Sequence, residues 1–176
     1  MTQLLLLAIS MSVVALIYAR WEYRQRGKLS LIGLLLLCAM ILVPNLMLHY
    51  VFSYDMPDSP IDYVGVVVGT AGTVLCLVSI VFFRSPLKML CLVPGKLTLT
   101  GPYKWSRNPQ YVGYLLFLLG FALNDWSGWV LVALVVVAVS LHLLVLIEEE
   151  HLRRTFGEPY AEFCRSVPRY VRLRYG

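Results

Sequence analysis

Five stretches of the chain, residues 4–19, 29–54, 61–83, 111–123 and 126–147, are almost purely apolar, with Asp62 their only charged residue. A helix that crosses a bilayer needs about 20 such residues, fewer where its ends are shielded by protein. The first, second, third and fifth runs are long enough to span with some tilt, and the second and third are predicted to form a hairpin. The fourth is short. Pro109 suits the first turn of its helix, where a missing N–H costs nothing. Counted from there it has about 15 residues, or roughly 22 Å at 1.5 Å per residue, so its start is expected below the headgroups. The turn Asn124-Asp125 then makes helices four and five antiparallel neighbours. The pattern predicts an all-α integral membrane protein with five transmembrane helices, a C-terminal helical hairpin and cytoplasmic segments.

Composition agrees: the chain is 59% hydrophobic and 14% charged, against about 25% charged in soluble domains. Disordered chains show the reverse bias. The net charge of +5 raises nucleic acid as a partner, but the placement of the cations explains it better. Arg20, Arg24, Arg26 and Lys28 fall between helices one and two; Arg84, Lys88, Lys96, Lys104 and Arg107 between three and four; the other six follow helix five. The alternate loops hold no cation. Basic residues collect on the cytoplasmic side of short loops, so the N-terminus is expected outside and the C-terminus in the cytoplasm. A cleaved secretory signal carries its cations before the apolar core, whereas here they follow it. Cys38, Cys76, Cys91 and Cys164 form no CxxC pair, and neither a disulfide nor a metal site is expected. The whole of 1–176 reads as one membrane domain. Residues 1–83 form a three-helix part and 84–176 a second part, with the hairpin at 109–147 and a cytoplasmic tail at 148–176; the motifs quoted below make this second part the cofactor-binding and catalytic one by resemblance.

Two segments depart from the lipid pattern. Residues 94–113, PGKLTLTGPYKWSRNPQYVG, concentrate glycines, prolines, basic residues and aromatics between two helices, as in a shaped surface. Glu148, Glu149 and Glu150 sit together at the predicted end of helix five, where the helix dipole disfavours acids. A solvated cluster pairing with Arg153 and Arg154 accounts for them at helical spacing. Arg107 snorkelling to the interface is equally compatible with its position. The hairpin, however, brings the Arg107-Asn108-Pro109 corner to the Glu148-Glu149 corner. Carboxylates, a guanidinium, aromatic faces and free helix N–H groups would then meet. A carboxylate suits a ribose diol or an ammonium, and an aromatic face suits a sulfonium.

The pair GPYKWSRNPQYVG and EEEHLRRTFGEPYAEFCRSVPRY resembles the C-terminal signature of the isoprenylcysteine carboxyl methyltransferase and phospholipid methyltransferase superfamily, over about half the chain, 96–170. The resemblance implies a membrane enzyme that uses S-adenosylmethionine on the cytoplasmic side, with a lipophilic or lipid acceptor arriving from the bilayer. It carries cofactor contact onto Gly95, Lys96, Leu97 and Thr98, Tyr103, Asn108, Pro109, Gln110 and Tyr111, and Glu148, with Glu149 in the same acidic pair. Arg107 matches the arginine of the family's Arg-His-Pro element and is expected to anchor cofactor or acceptor. Asn108 replaces the usual histidine and cannot titrate. Leu144 stands where the prenylcysteine enzymes carry a substrate-binding arginine, which counts against a carboxylate acceptor.

Methyl transfer of this kind needs alignment more than protein chemistry, and attack geometry supplies about 7–11 kcal/mol. No metal or covalent nucleophile is required. His142, two turns before Glu149, is a candidate base, since an ionisable group within a span invites a functional reading; a neutral histidine bonded to a neighbouring helix explains it as well. His49 reads as structural and His151 as solvated. Two other functions fit parts of the pattern: a nicotinamide-dependent reductase of the sterol reductase type, and a non-catalytic scaffold. Gly65 and Gly69 permit close helix packing, within or between protomers. The sequence leaves oligomeric state open.

Overall fold

The computed structural model describes residues 1–51, 57–82, 99–124 and 127–171. Its described residues are helical and turn segments: α1 (Thr2–Arg26), α2 (Leu31–Val51), α3 (Pro60–Phe82), a 3-10 turn (Gly101–Lys104), α4 (Pro109–Asn124), α5 (Gly128–Phe156) and α6 (Glu158–Ser166). Among them, α1, α3 and α5 are long and apolar enough to cross a membrane, and residues Leu31–Leu46 form a shorter apolar helix.

Helices α1 and α5 outrun the apolar stretches that predict them. The first continues past Ala19 to Arg26, ending where Gly27 adopts a left-handed φ of 65°, a conformation glycine takes without steric cost. The last long helix begins at Gly128, with the Ser127 hydroxyl accepting from Val130 N–H at 3.3 Å. It continues nine residues beyond Ile147, to Phe156. This corrects the expectation of acids at a helix end: Glu148 to Glu150 lie inside α5, short of its last turn, where the dipole penalty has faded.

The packing also revises the expected neighbours. Helix α3 lies along α4, and the contact is made by glycines. A Cβ on Gly113 would stand 2.6 Å from Cys76 N and 2.7 Å from Gly72 O; one on Gly120 would stand 2.6 Å from Gly65 O. Backbone therefore meets backbone, as small residues allow. Helices α1, α2 and α5 form a second packed group, its core built from Ala15, Leu16, Ala19, Tyr23, Leu37, Met40 and Leu144. Helix α4 touches α5 as well, through a cluster around Leu118, Ala122, Val130, Ala133, Val137 and Leu141.

One buried charge organises the α1–α2 corner. Glu22 is fully buried; it accepts from Ser30 N–H at 2.8 Å and from Arg26 Nη1 at 3.1 Å. Ser30 Oγ in turn accepts from Gly33 N–H at 3.2 Å. The start of α2 thus has its orphan donors met by two side chains. A side chain on Gly33 would collide with the Glu22 carboxylate. At the other end, Gly157 (φ 59°) breaks the chain between α5 and α6. Helix α6 folds back through Tyr160 and Phe163, which with Val167 pack on Leu152 and Phe156.

Candidate functional site

The site grows from the corner between the 3-10 turn and α4. Pro102 is the second residue of the turn and Gly101, at φ 60°, opens it and leaves room for the Phe82 ring. Tyr103 points inward and is buried, donating its hydroxyl to Gln110 Oε1 at 3.2 Å. Burial pushes this phenol above its ordinary range, and the negative charge of Glu148 adds to the shift. Tyr103 therefore remains a neutral donor.

Ser106, Arg107 and Asn108 are tied to the chain's C-terminal segment. Arg107 N–H donates to Pro168 O at 3.0 Å. Ser106 Oγ donates to Arg169 O at 3.2 Å and accepts from Asn108 N–H at 3.1 Å. Asn108 Nδ2 donates to the same Arg169 carbonyl at 3.1 Å. The backbone carbonyl of Asn108 accepts from Tyr111 and Val112 N–H, which opens α4. The side chain expected to meet a cofactor is thus part of a clasp between two loops.

The three acids, similar in sequence, have different surroundings. Glu149 is buried and receives a bidentate pair from Arg169, Nε at 2.9 Å and Nη2 at 2.8 Å. Arg107 Nη1 approaches the same carboxylate at 3.2 Å and also contacts Cys164 Sγ. Glu150 is engaged by Arg20, Arg24 and Arg154. Glu148 alone of the three has no cationic partner among the described residues: Tyr111 donates its hydroxyl to Oε1 at 2.8 Å. The solvated pairing with Arg153 and Arg154 is therefore corrected in large part, since only Glu150–Arg154, at 2.8 Å, forms.

Other expectations resolve as follows. Pro109 is fully buried at the head of α4. Leu144 is buried in the α1–α2–α5 core, against which Tyr111 packs. His142 is exposed, its Nδ1 2.8 Å from the Tyr170 hydroxyl. His151 is a correction: it is buried and stacks on Tyr23 with ring centroids 4.5 Å apart. Gly95, Lys96, Leu97 and Thr98 lie outside the described residues. Among the described residues no His, Cys, Asp or Glu cluster is arranged to hold a metal. The sequence reading missed Arg169, which nothing in the local pattern distinguishes from the neighbouring tail cations.

Beside the corner runs a largely apolar groove of about 420 Å³. Leu75 and Val112 form its helical wall, Trp105 and Tyr170 its aromatic rim, and Lys104 and Ser166 contribute polar groups. Tyr170 thus links the groove to His142.

Comparison with known proteins adds one finding: residues 81–159 match the family model described as phospholipid methyltransferase. The matched stretch covers the Tyr103 turn, the Arg107 to Tyr111 corner and all three acids, and it ends before Arg169. It supports methyl transfer and gives no support to the reductase or scaffold readings. No curated protein and no solved structure matches the chain.

Proposed function

We propose, from the premise that this chain belongs to the integral membrane methyltransferases through its phospholipid methyltransferase segment, that it transfers a methyl group from S-adenosylmethionine to a lipophilic or lipid acceptor at the cytoplasmic membrane face. The observation that carries this reading is the isolation of Glu148. Among the described residues, two neighbouring carboxylates are consumed by five guanidinium groups, while Glu148 is held by one neutral hydroxyl. Its second oxygen suits a ribose diol or an ammonium.

The residues around it fit the cofactor's chemistry. Tyr103 and Tyr111 offer aromatic faces, which attract a sulfonium, and Gln110 fixes the Tyr103 hydroxyl. Asn108 and Pro109 shape the head of α4 beside these rings, and Gly95 to Thr98 complete the set that the resemblance implies. S-adenosylmethionine, when bound, supplies a methyl group open to in-line displacement. Arg107 and Arg169 fix Glu149, and through the clasp they hold the corner rigid, which is how a positioning shell preserves attack geometry. The groove gives the acceptor a dry, apolar seat. His142 accepts the acceptor's proton, reached through the Tyr170 hydroxyl. Leu144, packed into the core, offers no cation for a carboxylate acceptor.

The topology belongs to the same reading: five crossings, α2 and α4 included, with the N-terminus outside. At 16 residues, or about 24 Å, α4 starts within the inner leaflet under cover of the clasp.

The test is calorimetric binding of S-adenosylhomocysteine and of NADPH to the detergent-purified chain. Binding of the former, weakened about 10- to 100-fold in Glu148→Gln, is expected. Binding of NADPH alone would overturn the reading. Labelled cofactor incubated with a lipid extract and with prenylcysteine analogues then identifies the acceptor; labelling confined to a prenylcysteine carboxylate would contradict the inference from Leu144.

A further inference from the structure

The acid next to the site, Glu150, lies in a surplus of positive charge. Arg20 and Arg24 reach it from α1: Arg20 Nη2 stands 3.3 Å from Oε2, and Arg24 donates through Nε at 3.0 Å and Nη2 at 2.7 Å to Oε1. Arg154 Nη2 approaches Oε1 at 2.8 Å from one turn along α5. One carboxylate faces three guanidinium groups, so the cluster keeps a charge of two. These contacts use Nη2 of each arginine and Nε of Arg24, which leaves every Nη1 for another acceptor. The three side chains are 53%, 44% and 53% exposed. A structural pair needs far less: Arg154, four residues on, already satisfies Glu150 within the helix.

The position of the cluster points to its occupant. Arg20 is the first residue after the apolar run of α1, and Glu150 the third after that of α5. Just before them, Ile17, Leu143 and Leu146 are exposed. The charges therefore sit where hydrocarbon gives way to headgroups, with apolar side chains on the bilayer side. His151 and Tyr23, stacked and buried, fill the space between the two helices, so the guanidinium groups present a surface patch over them.

We propose that this α1–α5 seam binds the headgroup phosphate of an anionic phospholipid, with the lipid's chains lying along the exposed apolar residues. Basic clefts between membrane helices are suited to such headgroups. The guanidinium fork matches two phosphate oxygens, and the residual charge of two selects a lipid with net negative charge over a zwitterionic one. The proposal rests on the membrane reading and is independent of methyl transfer.

The experiment embeds the full chain in nanodiscs of equal parts phosphatidylglycerol and phosphatidylcholine and reads the lipids retained on release by native mass spectrometry. Enrichment of phosphatidylglycerol is expected. It should fall about fivefold for each cation removed in Arg20→Gln and Arg24→Gln, and it should rise in Glu150→Gln, a gain that misfolding cannot produce. Arg165→Gln serves as the control, because Arg165 pairs with Glu158 on α6; its enrichment should not change. Inorganic phosphate should not compete, since it lacks the chains. Equal retention of both lipids, an equal fall in Arg165→Gln, no rise in Glu150→Gln, or displacement by inorganic phosphate would each overturn the proposal.

Discussion

Glu148, Glu149 and Glu150 show how one residue type takes three roles within a single helical turn. The differences come from distant partners: Tyr111 for the first, Arg107 and Arg169 for the second, arginines from both α1 and α5 for the third. Replacing Glu148 with Gln should weaken S-adenosylhomocysteine binding by about 10- to 100-fold, the range for a hydrogen bond to a charged group; Tyr111→Phe should cost only a few-fold. Isothermal titration measures both. Arg169→Ala leaves Glu149 buried with one guanidinium. Since Arg169 is partly exposed, about 1–2 kcal/mol of stability should be lost, read by chemical unfolding in detergent. Arg169→Lys should recover only part of that, because an ammonium cannot reproduce the bidentate fork. Tyr103 allows a test by pH: its pKa is raised, so its neutral form persists as pH climbs through the usual phenol range. Ultraviolet titration of wild type against Tyr103→Phe should show no phenolate contribution from this residue at pH 10. The meeting of Glu148 with the Arg107 to Tyr111 corner was legible in the sequence through the hairpin. The burial of Glu22 and His151 was not, because the Ser30 amide and the Tyr23 ring that satisfy them are chosen by tertiary contact. Nor was Arg169, one of six similar cations in the tail.

At the scale of elements, apolar runs identified the helices but not their ends, and of their partners the α4–α5 contact was legible in the sequence but the α3–α4 one was not. Amphipathic periodicity, which tells a soluble helix which face to bury, is weak here, because lipid-facing and core-facing positions are both apolar. Hence α1 and α5 extend through charged residues that the runs exclude, and the chief neighbour of α3 proves to be α4. Gly65 and Gly69 were visible as a small-residue stripe; that Gly120 of α4 meets them, with Gly113 against Gly72 one register along, follows only from the fold. Gly113→Ala sets a methyl against backbone on α3, which cannot yield as a flexible side chain would. It should destabilise by about 1–3 kcal/mol, whereas Gly128→Ala, with nothing within 4 Å of its added Cβ, should be near neutral. Thermal unfolding of the two variants side by side is the check.

For the whole molecule, the division of cations fixes an expectation that three or five crossings would meet differently. With five crossings, Ser59 and Ser127 are both on the outer face and Lys28 is inside. In a cysteine-free background, an impermeant maleimide applied to intact cells should label Ser59→Cys and Ser127→Cys but not Lys28→Cys. Labelling of neither outer position would refute the five-span topology. The glycine seam bears on traffic as well as stability. Where two helices touch backbone to backbone, an acyl chain has no passage between them, so the α3–α4 contact acts as a wall. On the proposed reading, a hydrophobic acceptor reaches the groove, walled by Leu75 of α3 and Val112 of α4, over this seam and not through it, and that route is decided by the smallest side chains in the protein.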